Sequence, residues 1–155
     1  MSAAIHRQAK DFRWEGVDVL PYKEDERALF KGVTRQVLFC DPEQESDLRY
    51  FEVAPGGFST LERHRHTHSV LVLRGRGRCL VGREVRQLNT NDLIAVPPMT
   101  WHQFRAAEGE PLGFLCMVKR TRDKPQLPSA EDLAAIEEDP TIAAFLHGEG
   151  TRRAG

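Results

Sequence analysis

From about Gly16 to Lys119 the chain is a series of short apolar runs, each closed by residues that favour turns. That pattern calls for many short strands returning on one another, as in an all-β sandwich or barrel. Strands are predicted over residues 17–20, 34–39, 48–53, 70–73, 78–81, 93–96, 102–105 and 112–118. Between them Asp41-Pro42, Pro55-Gly56-Gly57, Gly75-Arg76-Gly77, the stretch from Asn89 to Asp92, Pro97-Pro98 and Glu108-Gly109 supply turn chemistry. The run from Arg74 to Arg78, in which arginine alternates with glycine, reads as a hairpin turn with its glycines at unusual dihedrals and its arginines in solvent.

After Pro125 and Pro128 the character changes. Ser129 with Asp132 three residues on predicts a helix start, and Leu133, Ile136, Ile142, Phe145 and Leu146 have helical spacing interrupted by Pro140, so two short helices should follow the barrel. The 155 residues suit one domain, divided as an N-terminal arm (1–15), a barrel (16–120) and a C-terminal linker with short helices (121–155). With 22 basic and 23 acidic residues the formal charge is -1, so no sequence-wide positive excess points to nucleic acid or an anionic membrane. No segment approaches the roughly 20 apolar residues of a membrane span, and no apolar run follows the first basic residues as in a secretory signal. Cys40, Cys79 and Cys116 are odd in number and far apart, so free thiols and a cytoplasmic setting are expected.

The chemistry concentrates in histidine. Glu62, His64, His66 and His68 alternate, and alternate residues of a strand share a face; His102 follows later, after the Pro97-Pro98 turn. Imidazole and carboxylate suit manganese, iron, nickel or zinc, whereas a softer ion would need thiolates. A single histidine would read as a polar surface residue, but three on one parity beside a carboxylate favour a metal site.

The stretch from Pro55 to Gly75 resembles the first sequence motif of the cupins, and that from Asn91 to Phe104 the second. The resemblance implies a single-domain jelly-roll barrel. Counting back from Gly75 and forward from Gly57 sets Glu62 and His64 at the His-x-His positions, His68 at the acidic position and His102 at the metal-binding histidine of the second motif. Glutamate and histidine are thus exchanged relative to the usual order, and the total of three histidines and one carboxylate is kept. The register that starts at His64 and His66 would put Val70 at the acidic position, so His66 is left as a reserve ligand or proton-transfer residue.

Cys116, in the last strand, becomes a candidate nucleophile if it faces inward, because a nearby metal or cation would lower its pKa. Phe58, Trp101, Phe104 and Phe114 are expected to line the barrel, and Arg35, Arg49, Arg63, Arg65 and Arg105 are candidates for an anionic substrate group. A narrower resemblance runs through Arg49 to Gly57, Leu61 to His64, Phe114 to Met117 and Asp123 to Pro128. These segments look like the bacterial 1-methylthioxylulose 5-phosphate methylsulfurylases. That resemblance implies a manganese enzyme of methionine salvage, a homodimer, that acts on a phosphorylated keto-sugar and passes a methylthio group to a thiol such as glutathione. A metal-dependent dioxygenase and a non-catalytic cupin that binds a small ligand are the rival readings.

Overall fold

The protein is described by a computed structural model over residues 5–22 and 29–148. Residues 1–4 of the expected arm and 149–155 of the expected tail lie outside the described residues. The strands are β1 (Leu20–Pro21), β2 (Lys31–Asp41), β3 (Ser46–Phe58), β4 (His68–Gly75), β5 (Gly77–Val81), β6 (Glu84–Leu88), β7 (Leu93–Val96), β8 (His102–Ala106) and β9 (Leu112–Lys119), followed by helices α1 (Ala130–Glu137) and α2 (Pro140–Leu146).

The strands pair antiparallel in the order β6-β5-β8-β3-β9-β4-β7, with β2 also on β3 and β1 on β2. Strand β3 makes the sheet curl. Its first part lies between β2 and β9, where Arg49 faces Val37 on one side and Cys116 on the other, while its last residue, Phe58, pairs with Arg105 of β8. The curled sheet closes over one apolar cluster, which includes Val33, Phe51, Val53, Val72, Phe104 and Phe114. On β9, Phe114, Cys116 and Val118 share the buried parity, which settles that Cys116 faces inward.

Pro55-Gly56-Gly57 does not end a strand as expected; it lies inside β3. The β2–β3 register jumps from Val33 opposite Val53 to Lys31 opposite Phe58, so the extra residues bulge out and bend the strand without terminating it. Gly56 takes a positive φ of 69° there, and its N–H donates to Ala107 O at 2.9 Å. Of the first expected strand, 17–20, only Leu20 is extended in a sheet, as the start of the two-residue β1, and β6 was not foreseen. Only Val85 and Leu88 of β6 are apolar, since the strand is a charged sheet edge. Its signal was the two-residue Gly82-Arg83 link after β5, with Gly82 at φ 64°, as a type II′ hairpin requires.

Gly75 takes a positive φ as expected, but of the neighbouring arginines only Arg76 is in solvent. Arg74 donates to Glu52 Oε2 at 2.9 Å, and the Arg78 guanidinium lies 5.4 Å from the Phe145 ring centre. Both helices form where capping residues place them. Ser129 and Asp132 cap α1 reciprocally, and Pro140 opens α2 behind an Asp139 cap. Ile142 and Phe145 of α2 pack on Leu80 of β5 in a second apolar cluster. Among the described residues no helix is long and apolar enough to cross a membrane.

Candidate metal centre

Glu62, His64 and His66 lie in the connection between β3 and β4, which is not the strand that their alternation suggested. Its shape is imposed by segments distant in sequence. Glu62 exchanges backbone hydrogen bonds with His102 (3.2 and 3.0 Å), and Arg63 does the same with Gln126 (3.1 and 2.8 Å). Met99, at a positive φ just after Pro97-Pro98, donates its N–H to His64 O at 2.7 Å. Asp123 accepts from the backbone N–H groups of Arg65 (2.8 Å) and His66 (3.3 Å) and pairs with His66 Nδ1 at 2.9 Å. These hydrogen bonds hold the Asp123 carboxyl well below its usual range.

The result is a tight imidazole cluster. One ligand-type nitrogen from each of His64, His68 and His102 lies within 4.8 Å of the other two. His64 Nδ1 is 2.8 Å from His66 O, and His102 Nδ1 is 2.9 Å from Thr100 O. A carbonyl only accepts, so both Nδ1 atoms carry the proton and both Nε2 atoms carry a lone pair. His64 Nε2 is buried and has no hydrogen-bond partner. A buried lone pair with nothing to accept, fixed by a backbone contact behind the ring, is the arrangement that a metal ligand requires.

Burial, then the neighbouring histidines, pushes the His64 pKa down to about 4 and that of His68 to about 2, so both rings stay neutral near pH 7. His66 stacks on His64 with ring centres 3.6 Å apart, and its Nε2 lies 3.2 Å from His68 Nε2. It stands beside the three-histidine group and is not part of it. Glu62 is buried and lines the same cavity, but its carboxylate is also outside that group.

The histidines open onto a cavity of about 220 Å³. Cys116 Sγ lies 3.4 Å from His68 Nδ1, and burial pushes its thiol up to about 12. Phe104 and Phe114 line the cavity as expected, whereas Phe58 and Trp101 do not; they lie under the guanidinium groups of Arg105 and Arg63, at 4.5 and 4.3 Å. Of the five candidate arginines, Arg35 and Arg49 reach the cavity. Arg63 bonds Gln126 and Arg105 bonds the Leu146 carbonyl, while Arg65 is exposed. The sequence reading gave no site role to Tyr22, Arg122 or Asp123, although Asp123 opens one segment of the narrower resemblance; each reaches the site from a segment outside the strands that form the core. Burial raises the Tyr22 pKa, so its hydroxyl stays protonated.

A curled antiparallel barrel with three histidines converging inside it is the architecture of a cupin, and the chain belongs to that family: the Cupin_2 cupin-domain profile matches residues 49–118. Within the family the chain is 56% identical over 137 residues to 1-methylthio-D-xylulose 5-phosphate methylsulfurylase of Rhodospirillum rubrum, covering 88% of each chain. Among crystal structures, a cupin 2 conserved barrel domain protein of Rhodopseudomonas palustris is 52% identical and superposes with a TM-score of 0.87, covering 92% of this chain and 98% of the other. A cupin-2 domain protein of Rhodospirillum rubrum is 55% identical with a TM-score of 0.84, over 92% and 95% of the two chains.

Proposed function

We propose that this cupin is a divalent-metal-dependent enzyme that breaks the carbon–sulfur bond of 1-methylthioxylulose 5-phosphate, passes the methylthio group to a thiol and releases 1-deoxyxylulose 5-phosphate. The observation that carries the reading is a thiol in the histidine cavity, with Cys116 Sγ 3.4 Å from His68 Nδ1. The R. rubrum relative, named for this activity, supports it. His64, His68 and His102, with Glu62 as the fourth ligand, would hold the ion; manganese is the first choice, and the donors also suit iron, nickel or zinc. When bound, such an ion polarises a substrate carbonyl and offsets the charge that gathers on its oxygen.

The protein's own groups act on the sulfur. If His68 held the ion through Nε2, its proton would sit on Nδ1, where it would form an N–H hydrogen bond to Cys116 Sγ at 3.4 Å. That donor, with Arg49 across the strand pair, works against the upward push of burial and favours the thiolate. The thiolate attacks the methylthio sulfur: an S–S bond forms, the C1–S bond breaks, and its electron pair enters the sugar as an enolate. C1 then takes a proton and becomes the product methyl group. His66, tied to Asp123, is the candidate proton-transfer group. A second thiol such as glutathione attacks the Cys116 methyl disulfide, leaves as the mixed methyl disulfide and returns the cysteine to its reduced form.

The test is incubation of manganese-loaded protein with the substrate and glutathione, read by NMR. Expected are 1-deoxyxylulose 5-phosphate and the methyl glutathionyl disulfide, with turnover abolished and metal content unchanged in Cys116→Ser. No product from the loaded wild type overturns the reading, and full activity in Cys116→Ser removes Cys116 from the mechanism. The proposal includes a cytoplasmic homodimer, which sedimentation of the purified protein checks for oligomeric state.

A further inference from the structure

The cavity has a cationic wall, of which the sulfur chemistry engages only Arg49. Arg35 enters it from β2, Arg49 from β3 and Arg122 from the segment after β9. Arg35 lies opposite Phe51, two residues along β3 from Arg49, and Arg49 lies directly opposite Cys116. The three side chains thus gather on the side of the cavity next to the thiol. Arg49 is 8% exposed, and its Nε, like that of Arg35, is buried without a hydrogen-bond partner.

Charge around these groups is unbalanced. Asp47 accepts from Arg49 Nη2 at 2.6 Å and from Arg122 Nη1 at 3.2 Å, and among the described residues it is the carboxylate paired with them. Among the described residues, three guanidinium groups on this wall stand against Asp47 and the Glu62 carboxylate at the histidine end of the cavity, which leaves one positive charge in excess. The Arg122 pKa is lowered by burial first and then by Arg49, with a smaller contribution from Arg35, as expected where cations crowd one another. A buried cation with unused donors is unfavourable unless an anion completes it, and a guanidinium fork fits phosphate oxygens. Arg122 is also braced from behind, since its Nη1 donates to the Lys119 and Arg120 carbonyls at 3.2 and 3.1 Å.

We infer that Arg35, Arg49 and Arg122 form the subsite for a dianionic phosphate on the substrate, which fixes the far end of the molecule so that its sulfur lies at Cys116. The assignment rests on reading the substrate as a sugar phosphate. It also sets specificity: an analogue without the phosphate leaves the guanidinium groups uncompensated and is rejected.

The probe is inorganic phosphate, titrated calorimetrically into the metal-loaded protein at constant ionic strength, with chloride as the control. Wild type is expected to bind phosphate in the millimolar range or tighter. Arg35→Gln is expected to weaken binding about tenfold or more, with Arg35→Lys recovering part of the loss. Metal content should match wild type in both variants. His102→Ala, which removes a proposed metal ligand, should still bind phosphate. No phosphate uptake by wild type overturns the subsite, as does wild-type affinity in Arg35→Gln or loss of phosphate binding in His102→Ala. If Arg35→Gln does not fold, the wild-type and His102→Ala titrations still decide. The two proposals fail separately. Arginine-dependent phosphate binding without carbon–sulfur cleavage sinks the reaction and leaves the subsite, whereas cleavage with an unchanged KM in Arg35→Gln sinks the subsite and leaves the reaction.

Discussion

Acidification should destabilise the chelator-treated protein through two particular rings. Burial and mutual repulsion depress His64 and His68 to about 4 and about 2, against 6.5 for a free imidazole. A depressed folded value means that the unfolded chain binds protons first as pH falls, so these rings stabilise the fold fully above about 6.5 and lose that contribution toward 4 and below. At pH 5 each unfolded imidazole gains about 2.1 kcal/mol from protonation, against about 0.2 kcal/mol at pH 7, while the folded rings stay neutral. The difference is about 1.9 kcal/mol per ring and roughly 3.8 kcal/mol for the pair, and it holds as long as the folded values lie about a unit or more below 5. Urea unfolding of metal-stripped protein at pH 7 and pH 5, alongside a His64→Gln/His68→Gln double variant, measures it. A wild-type loss below about 1 kcal/mol, or an equal loss in the double variant, refutes the assignment of buried neutral imidazoles.

Other consequences follow from single contacts. Asp123→Asn removes the carboxylate that fixes His66 and the Arg65–His66 backbone, and should lower metal affinity about 10- to 100-fold in a chelator competition with little change in the thermal midpoint of the metal-free protein. Phe145→Ala empties the centre of the second apolar cluster and should cost about 3–5 kcal/mol by urea unfolding. Gly113→Ala should cost about 1–3 kcal/mol, because a Cβ there overlaps the Tyr50 hydroxyl group; Tyr50→Phe in the same background should recover part of the loss.

The elements that the sequence displays best are those in which local chemistry and tertiary role coincide. Ser129, Asp132 and Pro140 act within a few residues of themselves, so both helix starts could be read directly. The strands with apolar inward faces were visible for the same reason, while β6, with charges on its exposed side, was not. Parity brought Glu62 and the histidines together on the premise of a strand, but the grouping of His64, His68 and His102 comes from long-range backbone bonds, and it leaves the Glu62 carboxylate outside. The roles of Arg122 and Asp123 could not be foreseen, although Asp123 opens a segment of the narrower resemblance, because they depend on where the chain turns after β9.

That turn also divides the chain between the barrel and the clasp of its proposed ion site. Strand β9 ends at Lys119, so a nascent chain that stops short of Asp123 already contains every strand but lacks the bonds from Asp123 and Gln126 that shape the ligand-bearing connection. The clasp joins Arg63 to Gln126, which are about as far apart in sequence as the residues that β9 brings to β3. A chain cut before Asp123 would therefore keep every strand named above while losing the contacts that shape the proposed ion site.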